Sequence, residues 1–135
     1  MALAGAIQSA VAGSDHEAIR SLILHTWDKP EPKLVIDPIV VEADYAIAGW
    51  TQGERGGRAL LRKEGGAWKV VLCSGDPLQS ASVLVDAGLP AAVAERLSDD
   101  LRAAERSIDP KRVALFATFE GVMRMNAGSE HHKPH

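Results

Sequence analysis

The chain has 135 residues, 46% of them hydrophobic, and a single cysteine. That is one domain's worth, long enough to bury a core without a covalent staple, and one cysteine excludes an internal disulfide framework and cysteine-rich zinc sites. Fifteen Lys and Arg against eighteen Asp and Glu leave a net charge of −3, so the basic footprint of a general nucleic-acid binder is missing, and no apolar run approaches the ~18 residues that would span a bilayer.

Residues 1–13, MALAGAIQSAVAG, are small and apolar, and Ala10-Val11-Ala12 has the pattern of a cleavage site. No Lys or Arg precedes Arg20. The segment reads either as the stump of a signal peptide or as a helical leader without a targeting role. Ser14-Asp15-His16-Glu17 fits a capping box, and Ile19, Leu22, Ile23 and Trp27 follow at spacings of three and four. This predicts an amphipathic helix over 14–27, stopped by the Pro30 and Pro32 region. His25 falls on the rim of its apolar stripe and His16 in its cap turn, and both read as structural.

Strand signals come next. Leu34-Val35-Ile36 and Ile39-Val40-Val41 are β-branched runs interrupted by Asp37-Pro38, the mark of an edge strand or a kink. Strands are predicted at 45–50, 58–62 and 68–73, with Gly53 to Gly57 as a glycine-rich hairpin loop. That loop lacks a Gly-Lys-Ser/Thr ending and does not open a helix, so it is a turn and not a phosphate cradle. Short strands on short connections imply an antiparallel meander.

Helices return after the meander. Asp76 is an N-cap candidate with Pro77 at the first helical position and Gln79 completing the box, and this helix should end at Gly88. After Pro90, the residues Val93, Leu97, Leu101, Ala104 and Ile108 form one stripe. The charged residues between them, Glu95, Arg96, Asp99, Arg102, Glu105 and Arg106, read as a solvated face. Asp109-Pro110 restarts the chain. The sequence therefore predicts an α+β fold: an N-terminal helix, an antiparallel β-meander of 3–5 strands, and two or three C-terminal helices packed on one face of the sheet. We divide it into a leader (1–13), one domain (14–125) and a flexible histidine-containing tail (126–135).

Chemistry concentrates near the carboxy end. Three of the five histidines (His131, His132, His135) and two of the three methionines (Met123, Met125) lie in the last fifteen residues. Thioethers are soft donors that suit Cu(I), and imidazoles suit Cu(II). Two methionines one residue apart reach the same ion only from extended backbone, where alternate side chains share a side. Gly121 before them and Asn126 after them favour a strand. Against this stands the ordinary use of methionine to fill core gaps and of a polar tail as solvated chain. Cys73 reads three ways: a buried small hydrophobe, a third soft ligand, or a nucleophile. Trp27, Trp50 and Trp68 are core aromatics, with Trp50 and Gln52 placed to line a cavity.

Four segments together, Trp50 to Glu54, Gly56 to Arg62, Trp68 to Asp76 and Phe119 to Met125, followed by the histidine tail, resemble the small bacterial copper uptake system-associated proteins. The likeness runs from about Ala18 to the end and rests on the ordered set, not on any one motif. It implies a periplasmic, non-enzymatic accessory in copper acquisition that works alongside periplasmic copper chaperones and an outer-membrane receptor. The family supplies no ligand set. Assigning copper to Met123, Met125, Cys73, His131, His132 and His135 rests on donor chemistry. Two rival readings stand beside it. One is a metal-free interaction module using the sheet or the 90–108 helix. The other is an enzyme or small-ligand binder built on a helix-plus-curved-sheet cone, with Trp50, Asp76 and Cys73 lining an enclosed polar pocket.

Overall fold

The computed structural model describes residues 2–28 and 31–125. Helix α1 (Ala2–Trp27) is followed by strands β1 (Leu34–Glu42), β2 (Tyr45–Gln52), β3 (Arg55–Glu64) and β4 (Ala67–Ser74). A 3₁₀ turn (Asp76–Gln79) leads to α2 (Ala81–Asp86), α3 (Ala91–Glu105) and α4 (Pro110–Phe116), and β5 (Met123–Arg124) ends the described chain. The strands form one antiparallel sheet in the order β1-β2-β3-β4-β5. The α+β architecture is the one the sequence implies.

Alternation along the strands divides the core. Ala46, Ala48, Ala59, Leu61, Trp68 and Cys73 face α1 and meet Ile19 and Ile23. Ile47, Leu60 and Leu72 face the other way, against Leu84, Leu97 and Leu101 of α2 and α3. The C-terminal helices thus lie on one side of the sheet and α1 on the other. Central strand β3 is accordingly buried on both sides from Gly56 to Leu61, the expected pattern for a strand covered twice.

Four local expectations need correction. The helix does not start at Ser14 but runs through it from Ala2. Asp15 does not serve a cap; its Oδ1 accepts from Lys63 Nζ (3.0 Å) and Trp68 Nε1 (3.1 Å), tying α1 to the sheet. Asp76 and Gln79 do not frame an α-helix, because their segment is a 3₁₀ turn with no side-chain cap. The helix that follows is capped by Ser80, whose Oγ accepts from Val83 N, and it ends at Asp86. The glycine loop is shorter than expected, with Gly56 and Gly57 inside β3. A Cβ on Gly57 would sit 2.9 Å from both Phe119 and Trp50, so glycine there admits close packing.

The fourth correction concerns Glu105. It is 6% exposed, and Arg58 is 1% exposed. Arg58 Nε and Nη2 donate to Glu105 Oε2 and Oε1, both at 2.8 Å, a bidentate fork. Arg58 Nη1 donates to Asp76 Oδ1 at 3.1 Å, and Gln79 Nε2 donates to Glu105 Oε1 at 2.9 Å. One charge cluster, buried at Arg58 and Glu105 and open to solvent at Asp76, thereby joins β3, the 3₁₀ turn and the end of α3.

The β1 edge carries the proline irregularity anticipated at Asp37-Pro38: pairing with β2 shifts register between Ile36 and Ile39. Carbonyls around it are taken up by side chains. Arg112 donates to Asp37 O (2.8 Å) and Val35 O (3.2 Å), Arg20 to Ile36 O (3.2 Å) and His16 Nε2 to Ile39 O (3.1 Å).

Removing one half of a buried ion pair leaves the other charge uncompensated, so Glu105→Ala should lower unfolding stability by about 3–5 kcal/mol. The double replacement Arg58→Met with Glu105→Leu should recover most of that loss. Urea denaturation of the three proteins checks both, and a fully additive double variant would count against the pair as the cause.

Candidate functional site

The cavity of interest lies on the α1 side of the sheet. About 140 Å³ in volume, it is lined by Ile23 and Trp27 of α1, Trp50 and Gln52 of β2, Cys73 of β4, Phe119, and Met123 and Met125, among others. Its position follows from the chain path after α4. Thr118 Oγ1 accepts from Gly56 N at 3.0 Å, which carries the chain across the end of the sheet. Phe119 then meets Trp50 edge to face, with ring centroids 6.0 Å apart. Ser74 Oγ donates to Gly121 O at 2.9 Å, and Gly121 takes a positive φ of 77° that turns the chain back along β4.

That turn sets the register of β5. Met123 lies directly opposite Cys73, and Arg124 opposite Leu72. Met125 N donates to Val71 O at 2.8 Å, continuing the ladder one residue further. Directly opposed side chains in an antiparallel pair have Cβ atoms roughly 4.5–5.5 Å apart. Met123 and Met125, on alternate residues, both reach the cavity, where Cys73 meets them. The extended backbone that the Met-x-Met spacing requires is present, and the three sulfur residues converge on one space.

Their environments differ. Cys73 is 6% exposed, whereas Met123 is 47% exposed and Met125 is half-buried. Burial pushes the Cys73 thiol up to about 11, so it is protonated at neutral pH. A nucleophilic cysteine needs the opposite, a depressed value and a thiolate. The indoles of Trp27 and Trp50 are half-buried at the cavity wall, and Trp68, fully buried, belongs to the core. Gln52 Nε2 donates to Trp27 O (3.3 Å) and Pro32 O (3.4 Å), closing the wall between α1 and β2.

The remaining candidates separate from this site. Asp76, offered with Trp50 and Cys73 as a polar pocket, lies on the opposite side of the sheet in contact with Arg58 and does not line the cavity. His25 is exposed, and His16 is engaged at the β1 bulge. His131, His132 and His135 lie outside the described residues. Among the described residues, no group of three or more His, Cys, Asp or Glu side chains gathers as a metal cage, so any soft-metal chemistry there depends on the thioethers. The sheet, proposed as a docking face for an interaction module, carries helices on both sides but leaves a concave margin near β4 and β5 open. Among the described residues, no helix is long and apolar enough to cross a membrane.

Comparison with known proteins returned no match to a family model, a curated protein or a solved structure.

The position of the Cys73 thiol has a direct consequence. Alkylation by iodoacetamide should be slow at pH 7–8 and accelerate as the pH approaches 11, with unfolding in urea restoring the rate of an ordinary thiol. The same shift acts on stability. The folded state holds the proton more tightly than the unfolded chain. The resulting stabilisation is full below the ordinary thiol value and is lost as pH rises towards 11. Fast alkylation of the folded protein at pH 7 would contradict the burial argument.

Proposed function

We propose that this chain is a non-enzymatic periplasmic accessory of bacterial copper acquisition, carrying Cu(I) as its cargo. The observation that supports the reading is the convergence of Met123, Met125 and Cys73 on one small apolar cavity. Two thioethers and a thiol are soft donors that match Cu(I) and discriminate against hard divalent ions. The apolar wall limits access of water to the ion. Trp27 and Trp50 contribute to that wall. In this reading His131, His132 and His135 capture Cu(II) and pass copper on, and the partners are a periplasmic copper chaperone or an outer-membrane receptor. The compartment and the partners come from the resemblance noted in the sequence.

Binding at Cys73 requires loss of a proton that burial holds on the sulfur. Cu(I) uptake therefore releases a proton, and affinity rises with pH. A site that must also let copper leave is served by two neutral donors, one of them half-exposed.

Met→Leu replacement conserves volume and preserves the core. Met123→Leu with Met125→Leu should weaken Cu(I) binding by roughly 100-fold or more while leaving Cu(II) binding nearly unchanged, because thioethers discriminate between the two ions. Competition with a chromophoric Cu(I) chelator measures the first, and isothermal titration with and without residues 126–135 measures the second. Cys73→Ser should lower Cu(I) affinity and flatten its pH dependence. Equal loss for both oxidation states, or none, would overturn the assignment.

A second reading is supported by the size and lining of the same cavity. An apolar space near 150 Å³ accommodates a benzene-sized molecule, and this one is about 140 Å³ with Trp27, Trp50 and Phe119 in its wall. Quenching of tryptophan emission by benzene-sized ligands, with no response to Cu(I), selects it.

A further inference from the structure

A second concave surface lies on the opposite side of the β4–β5 edge, between the sheet and the connection from α2 to α3. It has a volume of about 400 Å³ and is lined by Arg62, Glu64, Lys69, Arg124, Tyr45 and Met125, among others. Its charge runs against that of the chain: among the described residues it has three cations and one carboxylate, against a net charge of −3 overall. Arg62 and Lys69 are direct cross-strand partners. Like charges directly opposite each other destabilise a sheet. Their compensation inside the protein is thin. Among the described residues Glu64 alone serves both, at 3.7 Å from Arg62 and 3.9 Å from Lys69, and all three side chains are about half exposed or more. Arg124 is exposed and has no acidic partner among the described residues. Tyr45 supports the Arg62 guanidinium at 6.0 Å from its ring centroid.

We infer that this groove docks an acidic segment of a partner protein. The spacing of the cations argues for an extended segment and not a small ion. Arg62, Lys69 and Arg124 come from three consecutive strands, so the outer two are separated by roughly 10 Å across the sheet. Several carboxylates along one segment span that distance, whereas a single phosphate does not. The groove also touches the copper reading, on which it does not depend. Met125 lines both the groove and the sulfur cavity, so a segment seated here lies against the strand that carries both thioethers.

The test is a titration of metal-free, isotopically labelled full-length protein with a hexaglutamate peptide, followed by amide NMR. Hexalysine and inorganic phosphate serve as separate arms. Saturable hexaglutamate binding is expected, with shifts concentrated on 60–71, 87–89 and 123–125, and weakening about tenfold or more between roughly 20 and 200 mM salt. Lys69→Glu and Arg124→Glu, both at exposed positions, should each weaken it about tenfold or more, with Arg62→Ala as a milder check and circular dichroism confirming the fold. Absence of saturable binding, indifference to the charge reversals, or phosphate binding as tightly as the peptide would overturn the inference. Because no metal is present, either result leaves the copper reading to be decided by its own titration.

Discussion

Arg58 sits at the centre of this structure. Its guanidinium is buried in the face of the central strand and is held by a fork to Glu105 and a third bond to Asp76. A lone buried cation would cost several kcal/mol, so the three elements that satisfy it are constrained together. Fixing Glu105 fixes the end of α3 and so the start of α4. Phe116, at the end of α4, then lies with its ring centroid 5.3 Å from both Arg58 and Arg112. Gly49 makes room for that ring, since a Cβ there would come within 2.8 Å of it. From Phe116 the chain has one short path, through Thr118 and Phe119, to the free edge of β4. The sulfur cavity on one side of the sheet is thus positioned by an ion pair on the other.

The division of labour between the two sides is chemical as well as geometric. The α1 side holds the apolar and soft groups, with the Asp15–Lys63 pair tying the helix to the sheet, and the helical side holds the fully buried Arg58–Glu105 pair and, at its margin, the groove rich in Arg and Lys. Strand β5 belongs to both, because alternation sends Met123 to the cavity and Arg124 to the groove, and Met125 at its end borders the two. A two-residue strand would contribute little by itself. Here it gains order from the Ser74 bond to Gly121, from the Met125 amide and from the packing of Phe119.

Local pattern was legible in the sequence wherever the determining interaction was local. The β-branched runs, the proline-broken edge strand and the alternating Met-x-Met were read from neighbours two to four residues apart, and they appear in the fold. What escaped was decided by distant partners. Glu105 falls four residues after Leu101 and eight after Leu97, a stripe position, but its charge placed it among solvated residues; only Arg58, 47 residues away, makes that position intelligible. Asp76 and Asp15 have the local grammar of helix caps and are instead claimed by Arg58, Lys63 and Trp68. Gly56 and Gly57 look like a loop because their reason for being glycine, the backbone of Leu115 and the ring of Phe119, lies far along the chain. The convergence of Cys73 with the methionines is of the same kind: the spacing of the thioethers was visible, and the opposing strand was not.

The cavity wall is assembled from segments that begin at Ile23 and end at Met125. No stretch of the unfolded chain can reproduce it. A molecule or ion held by the whole wall prefers the native state, so by mass action it shifts the folding equilibrium, by up to about 1.4 kcal/mol for each tenfold excess over its dissociation constant and by less for an ion that the unfolded Met123-x-Met125 segment also holds. Thermal melting in the presence of candidate compounds therefore reports occupancy without any assumption about what the occupant is.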